Sequence, residues 1–398
     1  MDKNSKMILL EDSIKVVNAI AGDIALSTET VDIRQASGRT LASDALSKLQ
    51  LPPFNKSAMD GFAVMADDVR DEYKVLEFIP AGSVPSMPLS AGCATKVMTG
   101  APVPEGAGKV VMVEQTTETQ GAVKVNDHAG RANICFKGED IQVGDCVLKA
   151  PSLLGALEIA NLISCGITEV DVFADIKVAV VSTGDEIVDD ASKIAPGKIM
   201  NANGPLLAGL CEKNSLKVTS VSVAKDNRKD TAKAIADAMD AADIVILSGG
   251  VSMGDLDFVD TAMGDLGLKV HFNRVAVKPG KPMTFASKDS KMVFGLPGNP
   301  VSVYLMFHLF VLPAARAICG IETDKLIELP LSEDFKRKKT DRALFAPGKI
   351  ITDGKISQVK YHGSAHLIAL MKADGFFLVE KGVGSISADE KVKFINVS

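Results

Sequence analysis

The chain has 398 residues, 46% of them hydrophobic and 24% charged, and a formal net charge of -6. At roughly 150 residues per unit this length holds two to four domains, each able to bury its own core. The negative balance argues against a main role on nucleic acid or an anionic membrane, and the composition is that of a folded, turn-rich chain and not of a disordered one.

Near the amino end, EDSIKVVNAIA places Ile14, Val17, Ile20 and Ala21 at helical spacing behind an acidic first turn, which predicts an amphipathic helix. No window there approaches about 18 uninterrupted apolar residues, so a cytoplasmic protein is expected. From Pro52 to Leu148 the pattern changes to short β-rich runs (YKVLEFI, KVVMVEQTTET, GAVKVN) broken by PAGSVPSMPLSAG and GAPVPEGAG. Helical spacing returns in SLLGALEIANLISCG, which ends on Gly166. The expected organisation is a helical linker domain in two pieces (1–50 and 149–174) interrupted by a mostly-β domain (51–148).

Three apolar runs then lead into glycine-containing loops: KVAVVSTGDE, DIVILSGGVSMGD and MVFGLPGNP. Between them NGPLLAGLCEKN and RKDTAKAIADAMDAA have helical spacing, the order of a doubly wound parallel sheet, so residues 175–325 are predicted to be α/β. From 326 to 398, RALFAPGKIITDGKISQVKY and GFFLVEKGVGSISADEKVKFINV read as strands with D-G turns, a small barrel or sandwich. The basic run FKRKKTD, 335–341, reads as a solvated strand end or loop in preference to a polyanion-binding patch. Six scattered cysteines without a C-x-x-C pair suggest neither zinc nor disulfides, and His362 and His366 flank a glycine outside any metal motif.

In an open parallel sheet, ligands bind beyond the carboxyl ends of the strands. STGDEIV brings Thr183, Asp185 and Glu186 to such an end, although alone its carboxylates read as turn formers. In SGGVSMGDLDF, backbone N–H groups from Gly249 through Ser252 can close on an anion, with hydroxyls at Ser248 and Ser252. Asp255 and Asp257 follow, carboxylates placed where a divalent cation such as Mg²⁺ would bridge to phosphate oxygens. In RVAVKPGKPMTF, Arg274, Lys278 and Lys281 can converge on an oxyanion, and Asn299 and Pro300 stand where a helix begins. These residues support a nucleotide or pterin phosphate site without naming it.

The motifs PPFNKSAMDGFAV, MTGAPVP, KGEDIQVGD, STGDEIV, LSGGVSMGDLDF, VKPGKPM and GLPGNPVSVY, in this order over nearly the whole chain, resemble the molybdopterin molybdotransferase family, the MoeA type that includes the gephyrin E domain. The resemblance implies an elongated dimer with the four domains above, the last a β-barrel, and a site shared between the α/β domain of one protomer and the inserted domain of the other. It implies a transferase of molybdenum cofactor biosynthesis that takes adenylylated molybdopterin and molybdate, depends on Mg²⁺ and releases AMP. It also implies an adenylyltransferase and acceptor molybdoenzymes as partners.

By motif, the resemblance implies catalytic roles for Asp60, Thr99, Asp140, Glu186, Asp226, Asp257, Lys278 and Lys281, with Glu186, Asp226 and Asp257 as the metal set. Ser57, Thr183, Ser248, Gly249, Gly250, Ser252, Gly254, Asp255, Arg274, Pro297, Asn299, Ser302, Arg342 and Ser364 are the substrate-binding set. The chain departs from the family pattern at Asn55 and Lys56, where Asp-Asn is usual, at Arg274, where lysine is common, and in NANGPLL, which lacks a frequent Asp. Two other readings carry their own signatures: a pyrophosphatase-type hydrolase, which would need no molybdate, and a gephyrin-like scaffold, which would cluster receptors.

Overall fold

The computed structural model describes residues 7–250, 258–322 and 326–397. Its contacts divide the chain into two units, one of Met1–Glu29, Gly38–Thr40 and Phe173–Ser398, the other of Thr30–Ser37 and Leu41–Val172.

The first unit is built on a six-stranded sheet in the order Lys217–Ala224, Lys177–Thr183, Ile244–Ser248, Lys291–Leu296, Pro282–Lys288, Lys269–Arg274. The three strands expected to run into glycine loops stand side by side and parallel, with Val180 opposite Ile246 and Ile246 opposite Phe294. Strands covered by helices on both faces need apolar residues at every position, which is why these runs do not alternate. Successive side chains still point to opposite faces. Val178, Val180, Ile244 and Ile246 join one core with Leu207, Leu210 and Val17, whereas Ala179, Val181, Val245 and Leu247 join another with Ile235, Ala238 and Met263. The parallel part ends after four strands, because Pro282–Lys288 and Lys269–Arg274 add antiparallel at one edge and make the sheet mixed.

From Lys177–Thr183 the chain passes through the helix Asn203–Lys213 to one side of the sheet, then through Arg228–Ala241 to Ile244–Ser248 on the other. The strand order therefore reverses between Thr183 and Ser248, which leaves a crevice beyond their carboxyl ends.

The amino-terminal helix Leu10–Gly22 carries Glu11 and Asp12 in its first turn and buries Val17 and Ala21, as its spacing predicts. Its core also holds the continuous helix Pro300–Ile318, which is long and apolar enough to cross a membrane by length and composition, yet has 78% of its most apolar window buried inside the protein. That helix contains one π-helical turn, Phe307–Val311, which carries His308. The His308 ring packs edge-on to Tyr304 and Phe307, its Nε2 is buried without a hydrogen-bond partner among the described residues, and burial, aided by Lys213 and Arg316, pulls its pKa down to about 4.

A histidine held neutral in the fold but protonated near pH 6.5 when unfolded contributes stability that is complete above pH 6.5 and lost as pH falls toward 4. Between those limits the loss should reach about 3 kcal/mol. Urea unfolding at stepped pH should therefore show a shallower acid slope in His308→Phe than in the parent chain, and equal slopes would refute the assignment.

The carboxy-terminal part is mostly β, with strands in the order Val277–Lys278, Ala343–Ile350, Gly375–Val379, Lys391–Asn396, Ile327–Pro330, and Ile356–Gln358 folded back on Ala343–Ile350. The D-G signal makes that hairpin turn, where Gly354 has φ +78°. Phe345, Phe376 and Leu378 of this sheet lie in the same core as the α/β helices.

In the second unit a six-stranded sheet runs Lys109–Met112, Gly61–Val64, Cys93–Val97, Glu72–Ile79, Ala122–Val125, Thr116–Thr119, the expected mostly-β insert. Gly61, which follows Asp60, opens a buried strand. A Cβ on Gly61 would come within 2.1 Å of the Val111 carbonyl oxygen, so the glycine is required by strand approach. The helix Ala156–Ser164 ends as predicted, with Gly166 at φ +78°. The segments read as helical also supply a small sheet, Thr28–Asp32, Glu169–Phe173, Thr40–Leu41, Ser152–Leu153, in runs too short and too rich in β-branched residues to hold a helix.

Candidate active site

The crevice at the switch point is a cleft of about 590 Å³, walled by Ser182, Thr183, Glu186, Asn201, Asn203, Asp226, Ser248–Gly250, Pro282 and Pro297–Pro300. Its floor is backbone brought unusually close. Gly249 has φ +99°, and a Cβ there would stand 2.4 Å from the Thr183 carbonyl oxygen and 2.9 Å from its Oγ1. Gly250 has φ +63°, and its Cβ would stand 2.8 Å from Thr183 Oγ1 and 3.7 Å from Asp226 Oδ1. Thr183, Asp226 and the two glycines thus share one small volume. Across it, the Glu186 carboxylate lies within 2.6 Å of where a Gly184 Cβ would be.

Two buried polar atoms of this wall, Thr183 Oγ1 and Asn203 Oδ1, have no hydrogen-bond partner among the described residues. The Asn203 amide is oriented by its nitrogen, which donates to Ser248 Oγ at 2.8 Å and to the Gly298 carbonyl at 2.7 Å. Its oxygen is therefore fixed as an unfilled acceptor. Asn201 is satisfied: Oδ1 accepts from Ser182 Oγ at 2.9 Å and from the Gly204 N–H at 3.1 Å, and Nδ2 donates to Asp189 at 2.9 Å. Buried polar groups are normally paired, so two unfilled ones on a polar wall are what a bound ligand would complete. Ser182, Asn201 and Asn203 were missed in the sequence; the signal was NANGP, asparagines where a strand hands over to a helix, read there as a helix start and as a departure from the family pattern.

Of the other substrate-side residues some line this cleft, whereas Arg274, Lys278, Lys281, Ser302, Arg342 and Ser364 are not among its lining residues. Pro297 and Asn299 line it, and Asn299's carbonyl accepts from the N–H groups of Ser302 and Val303. Ser302 itself is 2% exposed and lies off the cleft wall, in the core of the helix. Ser364's carbonyl accepts from Val301 N–H, and its neighbour Ala365 lines the cleft. Lys281 precedes the lining residue Pro282, and its carbonyl accepts from Val275 N–H. Lys278 is exposed on the short strand Val277–Lys278, and Arg274 ends the edge strand Lys269–Arg274, accepting from Ile8 N–H through its carbonyl. Arg342 donates from Nη1 to the Val277 carbonyl at 3.3 Å and pairs with Asp341 at 3.2 Å. Ser252, Gly254, Asp255 and Asp257 lie outside the described residues. Among the described residues no group of three or more His, Cys, Asp and Glu side chains is arranged to hold a metal, so Glu186 and Asp226 are the carboxylates in view.

A second polar cluster lies in the other unit. Asp60 Oδ1 accepts from the Thr99 N–H and hydroxyl, both at 2.7 Å, and these bonds, the backbone one first, hold its carboxyl below the usual range. Asp60 and Thr99 are thus coupled across loops that also carry Asn55, whose Oδ1 accepts from Lys137 N–H at 2.8 Å. Ser57 was expected to face a ligand; it is 1% exposed and its hydroxyl donates to the Met59 carbonyl, so its task is to shape the loop. Asp140 is exposed, with its N–H on the Leu51 carbonyl.

Comparison with known proteins covers all of these elements. Residues 8–166 match a family model described as the MoeA N-terminal region (domain I and II), 179–317 one described as a probable molybdopterin binding domain, and 328–397 the MoeA C-terminal region (domain IV). The chain is 33% identical to the molybdopterin molybdenumtransferase of Staphylococcus aureus (strain N315), with 99% of this chain and 96% of that one covered. With the protein of that name from Staphylococcus epidermidis (strain ATCC 12228 / FDA PCI 1200) it shares 32% identity over 92% of this chain and 90% of the other. Among solved structures, the molybdopterin biosynthesis moeA protein from Pyrococcus horikoshii OT3 superposes with a TM-score of 0.83 at 28% identity, covering 98% of this chain and 100% of that one.

Proposed function

This chain belongs to the MoeA family, transferases of molybdenum cofactor biosynthesis, and from that premise we propose that it inserts molybdate into adenylylated molybdopterin with Mg²⁺ dependence and release of AMP. The observation that carries the reading is the cleft floor, where Gly249 and Gly250 bring backbone against Thr183 and Asp226 beside two unfilled hydrogen-bonding atoms. A wall without Cβ atoms lets phosphate oxygens approach the Gly250 backbone, whereas the Gly249 N–H, expected from the sequence to face an anion, is spent on the Leu296 carbonyl at 3.1 Å. The unfilled hydroxyl of Thr183 can donate to such an oxygen, and the unfilled acceptor of Asn203 calls for a ligand N–H or O–H, which a pterin or purine edge supplies.

Glu186 and Asp226 would hold Mg²⁺, a hard cation that takes carboxylate and phosphate oxygens, and when bound it would offset charge on the pyrophosphate. Lys278, Lys281, Arg274 and Arg342 supply positive charge for a tetrahedral dianion. Insertion then needs no redox partner: two thiol sulfurs displace one oxide from molybdate, which leaves with the thiol protons as water, and a water molecule cleaves the pyrophosphate link so that AMP departs. We further propose that the protein works in the cytoplasm as a homodimer in which Asp60, Thr99 and Asp140 serve the cleft of a second copy. An adenylyltransferase would supply the substrate, and molybdoenzymes would receive the product.

The test is to mix the purified protein with adenylylated molybdopterin, Mg²⁺ and molybdate and to measure AMP and active cofactor. Both should appear together and only with all three components. AMP released at the same rate without molybdate would replace this reading with a pyrophosphatase, and no AMP at all would refute it.

A further inference from the structure

The basic run Phe335–Asp341 has the look of a solvated positive patch, but one of its cations is turned inward. Arg337 spends its whole planar fork on three backbone carbonyls: Nε on Val383 at 2.7 Å, Nη1 on Arg342 at 2.9 Å and Nη2 on Glu380 at 2.6 Å. The backbone repeats the attachment, with Arg337 N–H on the Gly384 carbonyl at 2.9 Å and Gly382 N–H on the Thr340 carbonyl at 2.8 Å. The segment from 337 to 342 is therefore tied to the turn 380–384 at its start and its middle, and its end is held by the Arg337 fork, which is itself anchored on that turn.

What the clamp fixes is the point where the carboxy-terminal sheet meets the lysine loop. Immediately beyond the Arg342 carbonyl, Ala343 N–H donates to the Ala276 carbonyl at 3.1 Å, and Val277 and Lys278 pair with Ala343 and Leu344. The Arg342 side chain reaches back to the Val277 carbonyl at 3.3 Å. Lys278 stands on a strand of two residues, which has few bonds of its own to hold its position, whereas Arg342 leads straight into the eight-residue strand Ala343–Ile350. A displacement of Arg342 is passed directly to Lys278.

From this the geometry points to Arg337 as a positioning residue for the oxyanion end of the site: by holding the Arg342 carbonyl it sets where the Lys278 and Arg342 cations meet a tetrahedral dianion. The inference rests on the reading that these cations take molybdate. It also explains why arginine is needed at 337. A lysine keeps the charge but has no rigid fork to span three carbonyls at once.

The experiment is the rate of AMP release against molybdate concentration, at saturating adenylylated molybdopterin and Mg²⁺, in Arg337→Gln, Arg337→Lys and Lys278→Ala. A misplacement of about 1 Å can cost up to a hundredfold, so both Arg337 variants should raise half-saturating molybdate about tenfold. The rate at saturating molybdate and the half-saturating concentration of the pterin substrate should stay within about twofold, because a general loss of folded protein would lower the rate without moving molybdate alone. If Arg337→Gln proves unfolded by melting, Arg337→Lys, which keeps charge and most of the packing, carries the test. An unshifted molybdate dependence in Arg337→Lys, beside a shifted one in Lys278→Ala, overturns the positioning role and leaves the oxyanion reading standing. An unshifted Lys278→Ala overturns the oxyanion reading and this inference with it.

Discussion

Replacing Asp226 with asparagine should lower the turnover of adenylylated molybdopterin about a hundredfold, the cost usually seen when one preorganised electrostatic group is lost. The change keeps the shape of the side chain and removes only its charge. Asp226 is half-buried at a strand end, its N–H is held by Asp185 at 3.2 Å, and its Oδ1 would stand 3.7 Å from a Cβ on Gly250, at the edge of the cradle. A loop carboxylate so placed contributes little packing, so the melting temperature should move by no more than about 2 °C. Half-saturating Mg²⁺ should rise in the same variant, since a hard cation loses one of its charged oxygen ligands. Turnover within threefold of the parent, or a lost rate with unchanged Mg²⁺ dependence, would take Asp226 out of the metal site.

Gly249→Ala should be as damaging for a different reason. At φ +99° an L side chain is strained, and the added Cβ would stand 2.4 Å from the Thr183 carbonyl oxygen. Relief requires the loop to move off the strand end, at a cost of about 1–3 kcal/mol in stability. The same movement would fill or widen the volume reserved for phosphate oxygens, so affinity for the nucleotide-bearing substrate should fall about a hundredfold, or roughly 3 kcal/mol. Gly264→Ala is the control. That glycine lies in the helix Val259–Asp265 with nothing within 4 Å of its added Cβ. It should raise stability by about 0.5–1 kcal/mol and leave substrate binding alone. Calorimetric titration with the substrate separates the two, and equal affinities for both variants would refute the cradle.

Much of this arrangement is written locally. The three apolar runs read correctly as parallel strands because burial on both faces leaves no room for polar alternation, and the glycines after the first two read correctly as loops because Gly184, Gly249 and Gly250 have positive φ, which excludes most other residues. The amino-terminal helix and the hairpin at Gly354 follow from spacing and turn chemistry in the same way. Other features have no local signature. PMTFAS joined the main sheet antiparallel, a choice made by the hairpin it forms with Lys291–Leu296. Asn203 read as a helix start until Ser248 and Gly298, 45 and 95 residues away in sequence, oriented its amide. Ser57 and Ser302 carried polar side chains expected at a surface, and packing closed over both.

The sequence by itself determined the kinds of elements, their order, the family and the glycine loops that line the cleft, because spacing, glycine and motif are properties of neighbouring residues. The tertiary structure alone decided which polar atoms remain unfilled at the cleft among the described residues, that Arg337 turns inward from a basic run, and that Val277–Lys278 pairs with Ala343 and Leu344, more than sixty positions later. Such pairings depend on backbone groups meeting across the fold, and every residue carries the same N–H and C=O, so no side-chain pattern announces which of them will meet.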